Sequence, residues 1–199
     1  MNSMPLFGCV LAALILPASV ANAEIPNAIA APGQTPIATI HAQGAQIYEC
    51  KPDAGGKLAW QFREPIATLF IDGKTVGRHY AGPSWELADG SAVTGMVAGR
   101  APGASSMDIP LLKLEVVSQR GSGLLTGVAT IQRLNTKGGV IQGPCEAVGT
   151  FVSAEYSADY TFYKKPSWSL IRWRIADWGA GRERMGSDYV SSMRCHISF

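Results

Sequence analysis

The stretch Ala67-Thr68-Leu69-Phe70-Ile71-Asp72-Gly73-Lys74-Thr75-Val76-Gly77-Arg78-His79-Tyr80 sets the fold class. Two runs rich in β-branched and aromatic residues flank an Asp-Gly pair. Asp and Gly tolerate the positive φ angles of a two-residue hairpin turn, so the runs pair as antiparallel neighbours. A parallel pair would need a crossover of a dozen residues or more, and none is available here.

The same pattern repeats outward from this hairpin. Upstream, Gln46-Ile47-Tyr48-Glu49-Cys50 precedes the turn Pro52-Asp53-Ala54-Gly55-Gly56, and Leu58-Ala59-Trp60-Gln61-Phe62 alternates large apolar with small or polar residues. Downstream, Gly82-Pro83 turns the chain into Trp85-Glu86-Leu87, and a second Asp-Gly pair follows at Asp89-Gly90. Further β-prone runs occupy 91–98, 111–117, 127–134 and 158–163. No window before residue 164 keeps a 3.6-residue apolar period over three turns. The expectation is an all-β domain over 37–163, a single antiparallel β-barrel of eight to ten short strands, with a β-sandwich as the alternative.

Both ends of the chain differ from this middle. Residues 6–16 form the apolar run Leu6-Phe7-Gly8-Cys9-Val10-Leu11-Ala12-Ala13-Leu14-Ile15-Leu16, followed by Pro17 and the small-residue site Ala21-Asn22-Ala23. That is the layout of a secretory signal peptide, residues 1–23, cleaved after Ala23. The run is too short to span a bilayer. Residues 24–36, with three prolines, read as an extended lead-in. Residues 164–199 read as a poorly ordered, basic, Trp-rich tail. They hold 7 Lys or Arg against 3 Asp or Glu, and three of the five tryptophans, Trp168, Trp173 and Trp178. Residues 1–163 hold 10 against 12, so the formal net charge of +2 is a cancellation between two regions. The near-neutral total lacks the dense basic face that nucleic acid requires. The expected product is a secreted or periplasmic monomer with no transmembrane segment after signal cleavage.

Export makes a disulfide admissible. Cys9 leaves with the signal. We pair Cys50 with Cys145 and leave Cys195 free. No C-x-x-C motif or Cys/His cluster points to a metal, and no nucleotide or cofactor fingerprint opens a helix.

The string His79-Tyr80-Ala81-Gly82-Pro83-Ser84-Trp85-Glu86, with Asp89-Gly90-Ser91, resembles the signature of a family catalogued as domain of unknown function 3455. Tyr48-Glu49-Cys50, Trp60-Gln61-Phe62, Glu64-Pro65, Ile131-Gln132-Arg133-Leu134-Asn135-Thr136, Cys145 and Tyr160-Thr161-Phe162-Tyr163 agree with it. The resemblance covers about residues 37–163 and implies a secreted β-domain of uncharacterised activity. It supplies no catalytic residues. It also stops where the basic tail begins, which implies that the tail is an extension of the family's domain.

Three sets of side chains are candidates for chemistry. His79 beside Glu86 or Asp89 has the makings of a general base with a carboxylate partner, the pattern of a hydrolase or isomerase acting on a small or sugar-like molecule. Alternation, however, puts His79 and Tyr80 on opposite faces of one strand. Trp85, Tyr80, Tyr48, Trp60 and Phe62 are the residue types that line an apolar or sugar-binding cleft. Arg133 and Asn135, near a strand end, are suited to orienting an anionic ligand. Of the three function classes these allow, a non-catalytic module binding a small molecule or glycan in a cleft near His79 and Trp85 comes first. The enzyme follows, and then a structural envelope protein.

Overall fold

The computed structural model describes residues 25–166. The expected signal segment, the tail beyond Pro166, and Cys9 and Cys195 lie outside the described residues.

Eight strands follow one another: β1 (Thr35–Pro52), β2 (Leu58–Ile71), β3 (Lys74–Tyr80), β4 (Ser84–Leu87), β5 (Ala92–Ala101), β6 (Leu111–Arg120), β7 (Thr130–Gly138) and β8 (Phe151–Lys164). Each pairs antiparallel with the next, and β8 returns to pair with β1. The sheet therefore closes into an up-and-down barrel, which leaves no unpaired edge.

Three strands are longer than the short runs expected. The segments 58–62 and 67–71 belong to one strand of 14 residues that passes through Pro65. Pro65 stands opposite Gln46, next to a register irregularity between Ile47 and Tyr48, where a missing ladder donor is tolerated. Likewise β7 does not stop at Asn135. Asn135 takes a positive φ of 50°, and the register with β8 shifts between Leu134 and Lys137, so the residue makes a bulge and the strand continues.

The lead-in is not simply extended. Asn27–Ile29 forms a 3-10 turn, and Ile29 is fully buried. Gly99 makes room for it, because a Cβ there would collide with the Ala28 carbonyl. Gln132 holds the turn in place. Its Nε2 donates to the Ile29 carbonyl (2.5 Å), and its Oε1 accepts from the Tyr163 hydroxyl (2.5 Å). Gln132 is 1% exposed, so replacing it strands buried polar partners. We expect Gln132→Leu to cost about 1–3 kcal/mol in urea unfolding. An unchanged midpoint would show that the turn does not stabilise the barrel.

Inside the barrel, inward-facing positions alternate as period 2 requires. Ile40 and Ala42 meet Leu69, Trp85, Val93, Leu114, Ile131, Ala158, Tyr160 and Phe162 in one apolar cluster. The two ends of the barrel differ. At one end Leu125 and Val128, from the β6–β7 connection, are buried as a plug. Asp89 and Ser91 staple it: Leu124 N–H donates to Asp89 Oδ2 (2.7 Å), and Leu125 N–H to Ser91 Oγ (3.2 Å).

At the other end the β5–β6 and β7–β8 connections meet. Ile109 N–H donates to the Gly138 carbonyl (2.9 Å), Gly138 N–H to Asp108 Oδ1 (2.7 Å), and the Tyr48 hydroxyl to the Gly139 carbonyl (2.7 Å). The disulfide Cys50–Cys145, with Cα atoms 5.7 Å apart, ties the β7–β8 connection to β1 at this same end.

Candidate functional site

His79 on β3 lies directly opposite Trp85 on β4, so the two side chains share a face. Both point into the barrel, at 2% and 0% exposure. Their rings stack with centroids 4.5 Å apart and an interplanar angle of 14°, and Tyr160 closes on both rings at 5.0 Å. His79 Nδ1 lies 2.8 Å from the Ser84 carbonyl oxygen. A carbonyl can only accept, so Nδ1 carries the hydrogen and the ring is held in one tautomer. Burial pulls the His79 pKa down to about 3, with the Arg133 charge adding to the fall and the Ser84 carbonyl opposing it. The imidazole is therefore neutral around pH 7.

The expected pairing of His79 with a carboxylate does not form. On β4, Trp85 faces in and Glu86 faces out. Outside, Glu86 accepts from the Tyr80 hydroxyl (3.0 Å), Arg78 (3.1 Å) and Arg120 (2.5 Å), contacts that hold its carboxyl below the usual range. Asp89 lies past the end of β4, stapling the plug at the opposite end of the barrel. Its Ser91 and Leu124 bonds lower its pKa too. The three residues are close in sequence because the hairpin is short, but pleat and topology send each to a different surface.

Tyr80 and Trp85 also part company. Tyr80 lies on the outer wall, with Arg78 over its ring at 4.9 Å, while Trp85 is interior. Arg133 and Asn135 separate for a similar reason. Arg133 stands in register between Leu112 and Tyr160, both interior. Asn135, at the bulge, is exposed and donates to Asp159 Oδ2 (2.8 Å) on the outer surface.

Trp85, His79, Arg133 and Tyr160 converge on a cavity of about 450 Å³ that opens at the disulfide-tied end. Ile109, Leu112 and Leu114 give it apolar walls, and Tyr48 and Phe62 stand at it as an edge-to-face pair 5.8 Å apart. Trp60 and Tyr80, the other two aromatic candidates, do not line it. A more open depression of about 750 Å³ crosses β1, β7 and β8 around Gln43, Lys137 and Ser153, away from these aromatic rings. Among the described residues, no group of three His, Cys, Asp or Glu side chains is placed to hold a metal.

The model of a family described as "Protein of unknown function (DUF3455)" matches residues 31–164. The chain belongs to this family. The match spans the whole barrel and the 3-10 turn's flank, so the closed sheet, the Cys50–Cys145 bridge and the cavity all fall within the DUF3455 domain. No curated protein and no solved structure matches the chain.

Sequence reading missed Tyr160 and Gln46 at this cavity, and Tyr156 beside them. The signal was present for the two tyrosines. Tyr156, Ala158, Tyr160 and Phe162 occur at every second position and form one inward row on β8. Gln46 gave no such signal, because its inward direction depends on the register irregularity at Ile47/Tyr48.

Proposed function

We propose that this protein is an exported, monomeric, non-catalytic binding protein that holds one small, largely apolar molecule inside its barrel. The observation that carries the reading is the 450 Å³ cavity, open at one end and plugged at the other, with aromatic and aliphatic walls. Small closed barrels are either filled by their own side chains or hold one small ligand, and this volume falls in the range of ligand sites. A reaction is not favoured, since His79 bonds to a backbone carbonyl and, among the described residues, no carboxylate lines the cavity. Export is supported by the apolar leader 6–16 with its Ala-Asn-Ala site, and by the disulfide. Among the described residues no helix is long and apolar enough to cross a membrane.

N-phenyl-1-naphthylamine, a neutral probe that brightens in apolar surroundings, tests the reading. Half-buried Val97 lines the cavity, so Val97→Phe fills part of it from within. We expect saturable enhancement with wild type and loss of most of it with Val97→Phe at unchanged far-ultraviolet dichroism. Equal enhancement by both proteins would place the probe elsewhere and remove the support for interior binding.

A further inference from the structure

The cavity has a marked charge bias. Among the described residues three arginines line it, Arg63, Arg100 and Arg133, and no Asp or Glu does. Over residues 1–163 acidic side chains outnumber basic ones, 12 to 10, so the bias is local and runs against the composition. Arg63 and Arg100 are exposed, at the rim, and Arg63 already leans on Glu64 (3.3 Å) and the Phe151 ring (4.9 Å).

Arg133 is different. It projects inward between Leu112 and Tyr160, and its Nε donates to the Pro110 carbonyl (3.0 Å), which fixes the plane of the guanidinium. Among the described residues no carboxylate lies within ion-pair distance of it. A cation held in an apolar site costs free energy unless an anion meets it.

A second, independent observation concerns neutral donors at the same cavity. Trp85 Nε1, the Tyr160 hydroxyl and Gln46 Nε2 are buried and have no hydrogen-bond partner among the described residues. Their side chains are 0%, 1% and 3% exposed. Buried donors are normally satisfied. Here three of them belong to side chains that line the same cavity as Arg133, a guanidinium with no carboxylate partner among the described residues. Tyr156, Tyr160, Gln46 and Arg133 are close neighbours, with Tyr156 beside Gln46 and Tyr160 and the Tyr160 hydroxyl beside Arg133.

Resting on the binding function proposed above, we infer that the ligand is an organic monoanion, a carboxylate whose head is bound by Arg133 and whose apolar body lies against Val97, Pro110 and Phe62. A fixed guanidinium plane presents two parallel N–H groups to a planar carboxylate, the geometry of a bidentate pair. The single inner cation suits one negative charge. A phosphate dianion would need a second inner cation; among the described residues that line the cavity Arg63 and Arg100 stand at the rim, and the buried His79 is neutral. The two rim arginines raise the local concentration of anions at the mouth.

The test uses protein loaded with N-phenyl-1-naphthylamine and displaces the probe with decanoate or with 1-decanol, which share a chain and differ in the head. With wild type, decanoate should displace the probe at a concentration about 10- to 100-fold lower than 1-decanol, the range of a charge-assisted hydrogen bond. Arg133→Gln should close that gap while 1-decanol is unaffected. Arg133→Lys, which keeps the charge and loses the fork, should restore part of it, and Arg120→Gln on the outer wall should leave it intact. Equal displacement by acid and alcohol from wild type, or a gap that survives Arg133→Gln, would overturn the inference while leaving interior binding standing. If the probe does not bind wild type and decanoate does not raise its melting temperature, both readings fall together.

Discussion

Reducing the Cys50–Cys145 bridge lowers the melting temperature by roughly 10–20 °C. The bridge joins residues 95 positions apart. Closing a loop of that length removes enough freedom from the unfolded chain to stabilise the fold by about 4–5 kcal/mol. The same bond acts on the native state at one place only, where it pins the β7–β8 connection to β1 beside the cavity mouth. Cys50 N–H and Gly149 N–H each bond across the junction (2.9 Å both). The expected result for Cys50→Ala/Cys145→Ala is therefore a large fall in stability with the barrel still formed. Scanning calorimetry with and without dithiothreitol checks it. A shift under 3 °C would mean that the unfolded chain gains little freedom when the bridge opens.

The second large effect belongs to His79. Its folded pKa of about 3 lies below the unfolded value of 6.5. Below pH 6.5 the unfolded chain takes up a proton that the folded protein refuses. Stability is thus full above pH 6.5, falls as the pH drops towards 3, and levels off below that. The slope is about 1.4 kcal/mol per pH unit for one proton, and the whole loss is about 4–5 kcal/mol. Glu86, Asp89 and Asp108 also have lowered pKa values, and the stability they contribute is lost only at lower pH, below their unfolded values. Across pH 6.5 to 4.5, with His41 and its Asp159 contact common to both proteins, the difference between wild type and a His79 variant reads the His79 contribution. Urea titrations across this interval should show a steeper slope in wild type than in His79→Phe. An imidazole that titrates near 6.5 in the native protein would contradict the buried, carbonyl-bound ring.

Much of the barrel could be read from residues alone. The hairpin at Asp72-Gly73 and the alternation along 67–71 identified antiparallel neighbours, and export chemistry led to the Cys50–Cys145 pair. The site was legible only in part. His79 and Trp85 stood out as a pair in the sequence, and register puts them face to face. Glu86 and Asp89 stood out equally, yet one residue of pleat carries Glu86 to the outer wall, and the short β4 carries Asp89 to the far end. Sequence proximity cannot distinguish these outcomes without the register. Arg133 and Asn135 show the same limit, since a bulge at a positive-φ asparagine reverses which neighbour faces in. The cavity itself has no sequence signature, because it arises where eight strands leave space between their inward side chains.

On the proposed reading the ligand sits inside the barrel, in the cavity lined by Trp85, Tyr160 and Arg133. The most direct measurement is a ¹⁵N–¹H nuclear magnetic resonance titration with decanoate. Shifts in the Trp85 indole Nε1–H and the Arg133 Nε–H, with the Leu124 and Leu125 amides at the plugged end unmoved, are the predicted result. Shifts confined to Gln43, Ser153 and Ser157 along the outer depression, or none at all, would contradict it.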